Sequence, residues 1–191
     1  MKKSKILIFI GLILIFISIG FLVYYYSGEP KIIEYTFSQN DLKFTQAEEK
    51  DWQLSIPAIS VSAPIIINVN GNNEEEYLSS LQHGVAHLAG TGLPGNIGNI
   101  FIFGHSSYYF YDRGDYKNIF ENLDKLNAND DIIINSNLGE YAYRVISKKI
   151  VNPDEVNVTG TAIENKETLS LMTCTPAGTS DQRLIILAER K

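Results

Sequence analysis

The chain has 191 residues, 45% of them hydrophobic, with 14 glycines, six prolines and one cysteine; that size suits one compact domain plus an extra segment and argues against a two-domain enzyme. A net charge of −6 without any basic run excludes a nucleic-acid binder, whose affinity rests on neutralising phosphates. The lone Cys174 can supply neither an intrachain disulfide nor the paired thiolates of a structural zinc site, so its chemical value is that of a single thiol.

In chain order, residues 6–26 come first: 21 residues without a charge, long enough as a helix to cross about 30 Å of hydrocarbon. Lys2, Lys3 and Lys5 precede this run and the next basic residue is Lys31, so the positive-inside bias keeps residues 1–5 cytoplasmic and exports the rest of the chain. A cleavable signal peptide is the rival reading. The run exceeds the usual signal core and ends in Tyr24, Tyr25 and Tyr26 rather than a small-residue cleavage site, which favours a retained signal anchor at the cell membrane. Residues 27–50 mix Gly, Pro, charges and scattered aromatics without a sustained period, and read as a stalk. The globular domain is then 51–191, with no internal repeat.

Within it, β-rich runs predict strands over 52–56, 61–67, 99–103, 131–135, 140–150, 168–173 and 183–188, with Pro57 and Pro64 at strand ends or bulges. Apolar spacings of three and four predict short helices over 74–83 (Tyr77, Leu78, Leu81) and 119–126 (Ile119, Leu123, Leu126). Seven or eight strands with two brief helices indicate a mainly β barrel or sandwich.

Three polar residues stand at the ends of apolar strands. Cys174 closes 168–174 just before Thr175-Pro176, His105 closes 99–105, and Arg183 opens 183–187. Each has a bland reading: a small buried hydrophobe for the cysteine, a hydrogen-bonded strand-end histidine, a surface arginine. Together they supply a thiol nucleophile, a base or cation that favours its thiolate, and a donor for a tetrahedral oxyanion. That trio is a loose pattern for a cysteine enzyme.

At the same residues the sequence resembles the sortases, membrane-anchored cysteine transpeptidases of bacterial surfaces. Leu171-Met172-Thr173-Cys174 is similar to the family's Leu-x-Thr-Cys signature, and Arg183 follows Cys174 after eight residues. Phe103-Gly104-His105 resembles the Gly-His signature, approached through Pro94-Gly95 and Gly98-Asn99. Leu54 to Ile59 is similar to the family's first strand, and Phe120-x-x-Leu123-x-x-Leu126 to the segment after the catalytic histidine. The resemblance implies an eight-stranded sortase barrel in which Cys174 attacks a sorting-signal peptide and forms a thioester that an amine acceptor resolves. It implies that His105 accompanies the thiolate and moves protons, and that Arg183 holds substrate and oxyanion. The backbone N–H of Thr175 is a candidate second oxyanion donor; Thr173 either orients the site or is simply a β-branched strand residue. No cofactor is required.

Residues 106–118, long and aromatic, read either as a flap over the site or as a surface loop with packed tyrosines. The family's Asp-Pro-aromatic lid motif is matched only in part, by Asp51-Trp52, which argues against a pilin-polymerising role. Glu74, Glu75 and Glu76 with Asp154, Glu155 and Glu164 compose a candidate calcium set, though carboxylate clusters are usually solvated faces. His83 and His87 are four apart, a zinc-compatible spacing on a helix, but Gly84 lies between them and no HExxH glutamate is present; both read as loop or strand residues near the site. Two other functions fit the same residues: a cysteine peptidase that uses water as acceptor, and a non-catalytic surface-binding domain on the same scaffold.

Overall fold

The computed structural model describes residue 18 and residues 52–107, 114–155 and 163–191. The chain divides into two compact units, Met1–Gln39 and Asn40–Lys191, and the elements below belong to the second. No helix among the described residues is long and apolar enough to cross a membrane; the expected anchor over 6–26 and stalk over 27–50 lie outside them, residue 18 excepted.

Eight strands follow one another as β1 (Gln53–Ile56), β2 (Val61–Val69), β3 (Val85–Leu88), β4 (Gly98–Phe103), β5 (Asp131–Ser136), β6 (Gly139–Val151), β7 (Glu167–Thr175) and β8 (Gln182–Arg190). They close into a barrel in the order β1-β2-β3-β4-β7-β8-β6-β5. Closure removes the free sheet edges that would otherwise template aggregation. Two neighbouring pairs, β2/β3 and β4/β7, are parallel, and the rest are antiparallel.

Period-2 alternation separates the two faces of β4, β7 and β8. Ile100, Ile102, Leu169, Leu171, Leu184 and Ile186 enter the main core inside the barrel. The intervening Phe101, Phe103, Met172 and Ile185 form a second apolar cluster with Val151 and Leu88 on the outer face. Cys174 lies two residues past Met172 and so continues that outer face.

One α-helix, α1 (Glu74–Leu81), covers part of it. Asn73 caps α1 by accepting from the Glu76 N–H, and Glu74, Glu75 and Glu76 occupy its first turn, where carboxylates complement the helix dipole. That placement accounts for the glutamates as helix-start residues. Among the described residues no group of three or more His, Cys, Asp or Glu could hold a metal ion.

The second expected helix, over 119–126, is reduced to a single 3-10 turn at Leu123–Lys125. Phe120, Leu123 and Leu126 are each fully buried, a period of three that suits 3-10 eclipsing better than an α-helical stripe. The strand expected from residue 52 starts at Gln53; Trp52 instead stacks on Tyr141, ring centroids 6.3 Å apart. Pro57 opens a 3-10 turn at the end of β1, and Pro64 sits inside β2 opposite Gln53.

Candidate active site

The parallel pairing of β4 with β7 aligns Phe103 with Met172, so the residues leaving these strands, His105 and Cys174, emerge side by side. Two contacts to the main chain continue the pairing beyond the strand end: the Gly104 N–H donates to the Met172 carbonyl at 3.1 Å, and the Thr173 hydroxyl donates to the Gly104 carbonyl at 2.8 Å. Thr173 is 3% exposed. A β-branched residue of β7, it also ties, through its hydroxyl, the residue before Cys174 to the residue before His105.

Gly104 is required by close packing. A Cβ there would lie 2.8 and 2.9 Å from the Phe120 ring and 3.2 Å from Val85 Cγ1, and Phe120 is fully buried. Phe120 in turn fixes His105, donating its N–H to the His105 carbonyl at 2.9 Å. The glycine before the histidine is therefore a packing solution that holds the histidine's main chain against the core.

On the other side of β7, Cys174 and Arg183 are direct partners in the antiparallel β7–β8 ladder. Directly opposed residues project to the same face, here the outer one. Arg183 Nη1 donates to the carbonyls of Ser180 at 2.9 Å and Gln182 at 3.1 Å. These bonds brace the guanidinium against the β7–β8 loop; a guanidinium carries five N–H donors, so three remain outside them.

His105, Cys174 and Arg183, all half-buried, line one cleft of about 510 Å³, walled on its apolar side by Leu81, Leu88, Phe103, Val151 and Met172. Tyr77 of α1 lines it as well and meets Phe103 edge-on, ring centroids 6.4 Å apart. Burial, then the electrostatic influence of Glu74 and Cys174, push the Tyr77 phenol above its ordinary range, while Arg183 opposes them. Tyr77 thus lies within the electrostatic reach of both Cys174 and Arg183, yet its spacing with Leu81 reads in the sequence only as core.

Thr175 stands apart from that cleft. With Cys174 it lines a smaller cavity of about 190 Å³ beside the loop leaving β7.

His83 and His87 do not form a metal pair. His83 Nδ1 is 2.9 Å from the Ser79 carbonyl at the exposed end of α1. His87, 1% exposed on β3, accepts the Asn68 N–H at Nδ1 (3.2 Å) and therefore carries its proton on Nε2, which donates to the Gly92 carbonyl at 2.9 Å. Burial lowers its pKa below 6.5 despite that bond. In the loop after His105, Gly114 packs on Gln82 at the end of α1 and Tyr116 packs against the main core; the rest of the expected flap, 108–113, lies outside the described residues.

The Sortase domain family model matches residues 54–191, which takes in all of the barrel's strands but the first residue of β1, and all three cleft residues. The chain belongs to the sortase family. It is 29% identical to Sortase D of Bacillus subtilis over 140 residues, a match covering 72% of this chain and 62% of that relative, so it spans less than two thirds of the relative's length. Among solved structures, sortase A from Corynebacterium diphtheriae, in a lid mutant, superposes with a TM-score of 0.63 at 27% identity, covering 81% of this chain and 80% of that one. A pilus-related sortase C of Group B Streptococcus gives 0.63 at 29% identity, covering 86% and 77%. The mainly β, eight-stranded barrel expected from the resemblance is thus the fold of the family.

Proposed function

We propose that this sortase is a cysteine transpeptidase that cleaves a sorting-signal peptide through a Cys174 thioester and transfers it to an amine, attaching proteins to the cell surface. The observation that carries this reading is the register of β7 against β8, which sets Arg183 directly opposite Cys174 at the mouth of a cleft shared with His105.

A free thiol has a pKa of about 8.5 and is a poor nucleophile at neutral pH without cationic neighbours. Protonated His105 and Arg183 supply that charge. The Cys174 thiolate attacks the scissile carbonyl; Arg183, with the Thr175 N–H as second donor, stabilises the oxyanion. His105 gives its proton to the departing amine, and later takes one from the incoming amine as the thiolate leaves. The apolar wall of the cleft suits a short peptide segment, since clefts of about 300–1,000 Å³ hold ligands of that size. Residues 6–26 hold the domain on the outer side of the membrane, linked by residues 27–50, so both substrates are extracytoplasmic.

The test is to incubate full-length protein in detergent with a library of sorting-signal-like peptides and read the Cys174-bearing fragment by mass spectrometry. A thioester adduct that an added amine converts to an amide supports transpeptidation. An adduct released only to water identifies a peptidase, and an unmodified Cys174 with every peptide identifies a non-catalytic scaffold.

A further inference from the structure

Of the α1 residues that line the cleft, Tyr77, Leu78 and Leu81, only Tyr77 carries a polar side-chain atom. Its ring is held from behind: it meets Phe103 edge-on and packs against the cluster of Val69, Leu81 and Ala86. Its hydroxyl is not held. No hydrogen bond among the described residues uses it, and it is not one of the side-chain oxygens sealed from water. The tyrosine thus presents a fixed ring and an open O–H donor to the space that Cys174, His105 and Arg183 share.

The floor of that space is the outer face of β4 and β7, through Phe103 and Met172. β4 is paired on both edges, with β3 and β7, and β7 is paired with β4 and β8. Their main-chain groups are therefore engaged in ladders and offer no hydrogen bond to a peptide laid over them. The peptide's own carbonyls lose water on this apolar floor and need new donors, which side chains on the walls must supply. Two such donors stand across β7 from each other. Arg183, on β8, keeps N–H groups beyond its brace on Ser180 and Gln182; Tyr77 stands over Phe103 of β4. β4 and β8 are two strand spacings apart, about 10 Å, the width that one extended chain fills between hydrogen-bonding neighbours.

We infer that Tyr77 is a substrate-binding residue: its phenol O–H donates to a main-chain carbonyl of the peptide segment laid over Met172, on the side of that segment opposite Arg183. This rests on the transpeptidase reading above and adds a contact that holds the peptide by its backbone, whatever its side chains. The raised pKa of the phenol keeps it a neutral donor, so the contact adds no charge beside Cys174.

The experiment uses full-length protein in detergent, the library peptide that acylates Cys174 fastest, and analogues of that peptide in which one backbone amide at a time, the scissile bond excepted, is replaced by an ester, whose carbonyl is a weaker acceptor. In Tyr77→Phe, which keeps the ring against Phe103, kcat/KM falls about twofold to tenfold, the yield of one neutral hydrogen bond; the loss lies in KM and kcat is unchanged. The thermal midpoint and the pH profile of Cys174 alkylation by iodoacetamide stay those of the wild type, because the hydroxyl has no partner to lose and carries no charge. At one position the ester raises the wild-type KM but not that of Tyr77→Phe, and this identifies the carbonyl. An unchanged kcat/KM, a lower midpoint, a shifted alkylation profile, or ester penalties equal in the two proteins at every position overturns the Tyr77 contact while leaving transpeptidation standing. Failure of every peptide to acylate the wild-type protein overturns the parent reading and this one with it.

Discussion

Cys174 and Arg183 are Cα partners in the β7–β8 ladder, with the guanidinium braced on the carbonyls of Ser180 and Gln182. A register slip of one residue would send one of them into the barrel core and leave the other outside, because side chains alternate faces with a period of two. The core residues on either side, Leu171 and Thr173 of β7 and Leu184 and Ile186 of β8, are all buried. Hydrophobic packing inside the barrel therefore enforces the pairing of thiol and guanidinium on its outer face, and site geometry and fold stability share one cause.

Replacing Arg183 by Lys keeps the charge and loses the planar fork that both braces on the loop and leaves donors for a substrate. Turnover of an acylating peptide is expected to fall about 10²- to 10³-fold, as for a lost oxyanion donor, while Cys174 stays alkylatable by iodoacetamide. His105→Ala is expected to abolish turnover and to shift the pH profile of alkylation. Near-wild-type turnover in Arg183→Lys would mean the guanidinium is only a loop brace.

Cys174→Ala removes acyl-enzyme formation and leaves the fold intact, since the half-buried thiol at a strand end contributes far less packing than a core residue. Mass spectrometry of peptide-treated variant and thermal unfolding of both proteins check the two halves. A midpoint several degrees lower would return Cys174 to the bland role of a packing residue.

Seven of the eight strands were legible because each is a run of β-branched and aromatic residues bounded by turn formers, and the placement of Cys174, His105 and Arg183 at strand ends was legible because polar residues interrupt such runs there. β3 was not. It is four residues long, with Val85, Ala86 and His87 all buried, so it shows no alternation to read; its histidine looked like a ligand candidate because nothing in the sequence reveals the Asn68 N–H and Gly92 carbonyl that satisfy it. Tyr77 was hidden for the opposite reason: its helical spacing with Leu81 is what a core position would show. The smaller cavity could not be read, since Ser106, Glu121 and Thr175 come from three separate segments that line it together only in the fold.

Gly104→Ala forces a methyl into the Phe120 ring at under 3 Å, and overpacking of this kind costs about 1–3 kcal/mol. Lower stability and lower turnover are expected together, because Phe120 also carries the His105 carbonyl. The double variant Gly104→Ala/Phe120→Leu should recover part of the stability, a non-additivity expected of residues in contact. Strict additivity of the two changes in urea unfolding would show that the ring is not what excludes the Cβ.

Thr173→Val keeps the β-branched shape and deletes the hydroxyl that ties Gly104 to β7. Leaving a buried acceptor short of its donor costs about 1–3 kcal/mol. The bond joins the residues that precede Cys174 and His105, so kcat is expected to fall more than KM rises, and Thr173→Ser, which restores the hydroxyl, should recover most of both. If valine and serine behave alike, the position is a strand residue only.

His87 gives the fold a pH dependence whose direction is set by its burial. Its neutral ring accepts the Asn68 N–H at Nδ1, so protonation would destroy that bond as well as bury a charge, and its folded pKa lies below 6.5. In the unfolded chain it titrates near the ordinary value, about 6.5. Between the two values the unfolded state binds more protons than the folded one, so stability rises with pH across that window. This contribution is fully present above about 6.5 and is lost progressively as the pH falls toward the folded pKa. Thermal unfolding of the wild type should therefore show a midpoint that drops as the pH is lowered through the slightly acid range. His87→Gln, which carries no titrating ring, should show a flatter profile there, although its absolute midpoint is lower because glutamine cannot reproduce both hydrogen bonds. Parallel profiles for the two proteins would place the acid sensitivity in other groups.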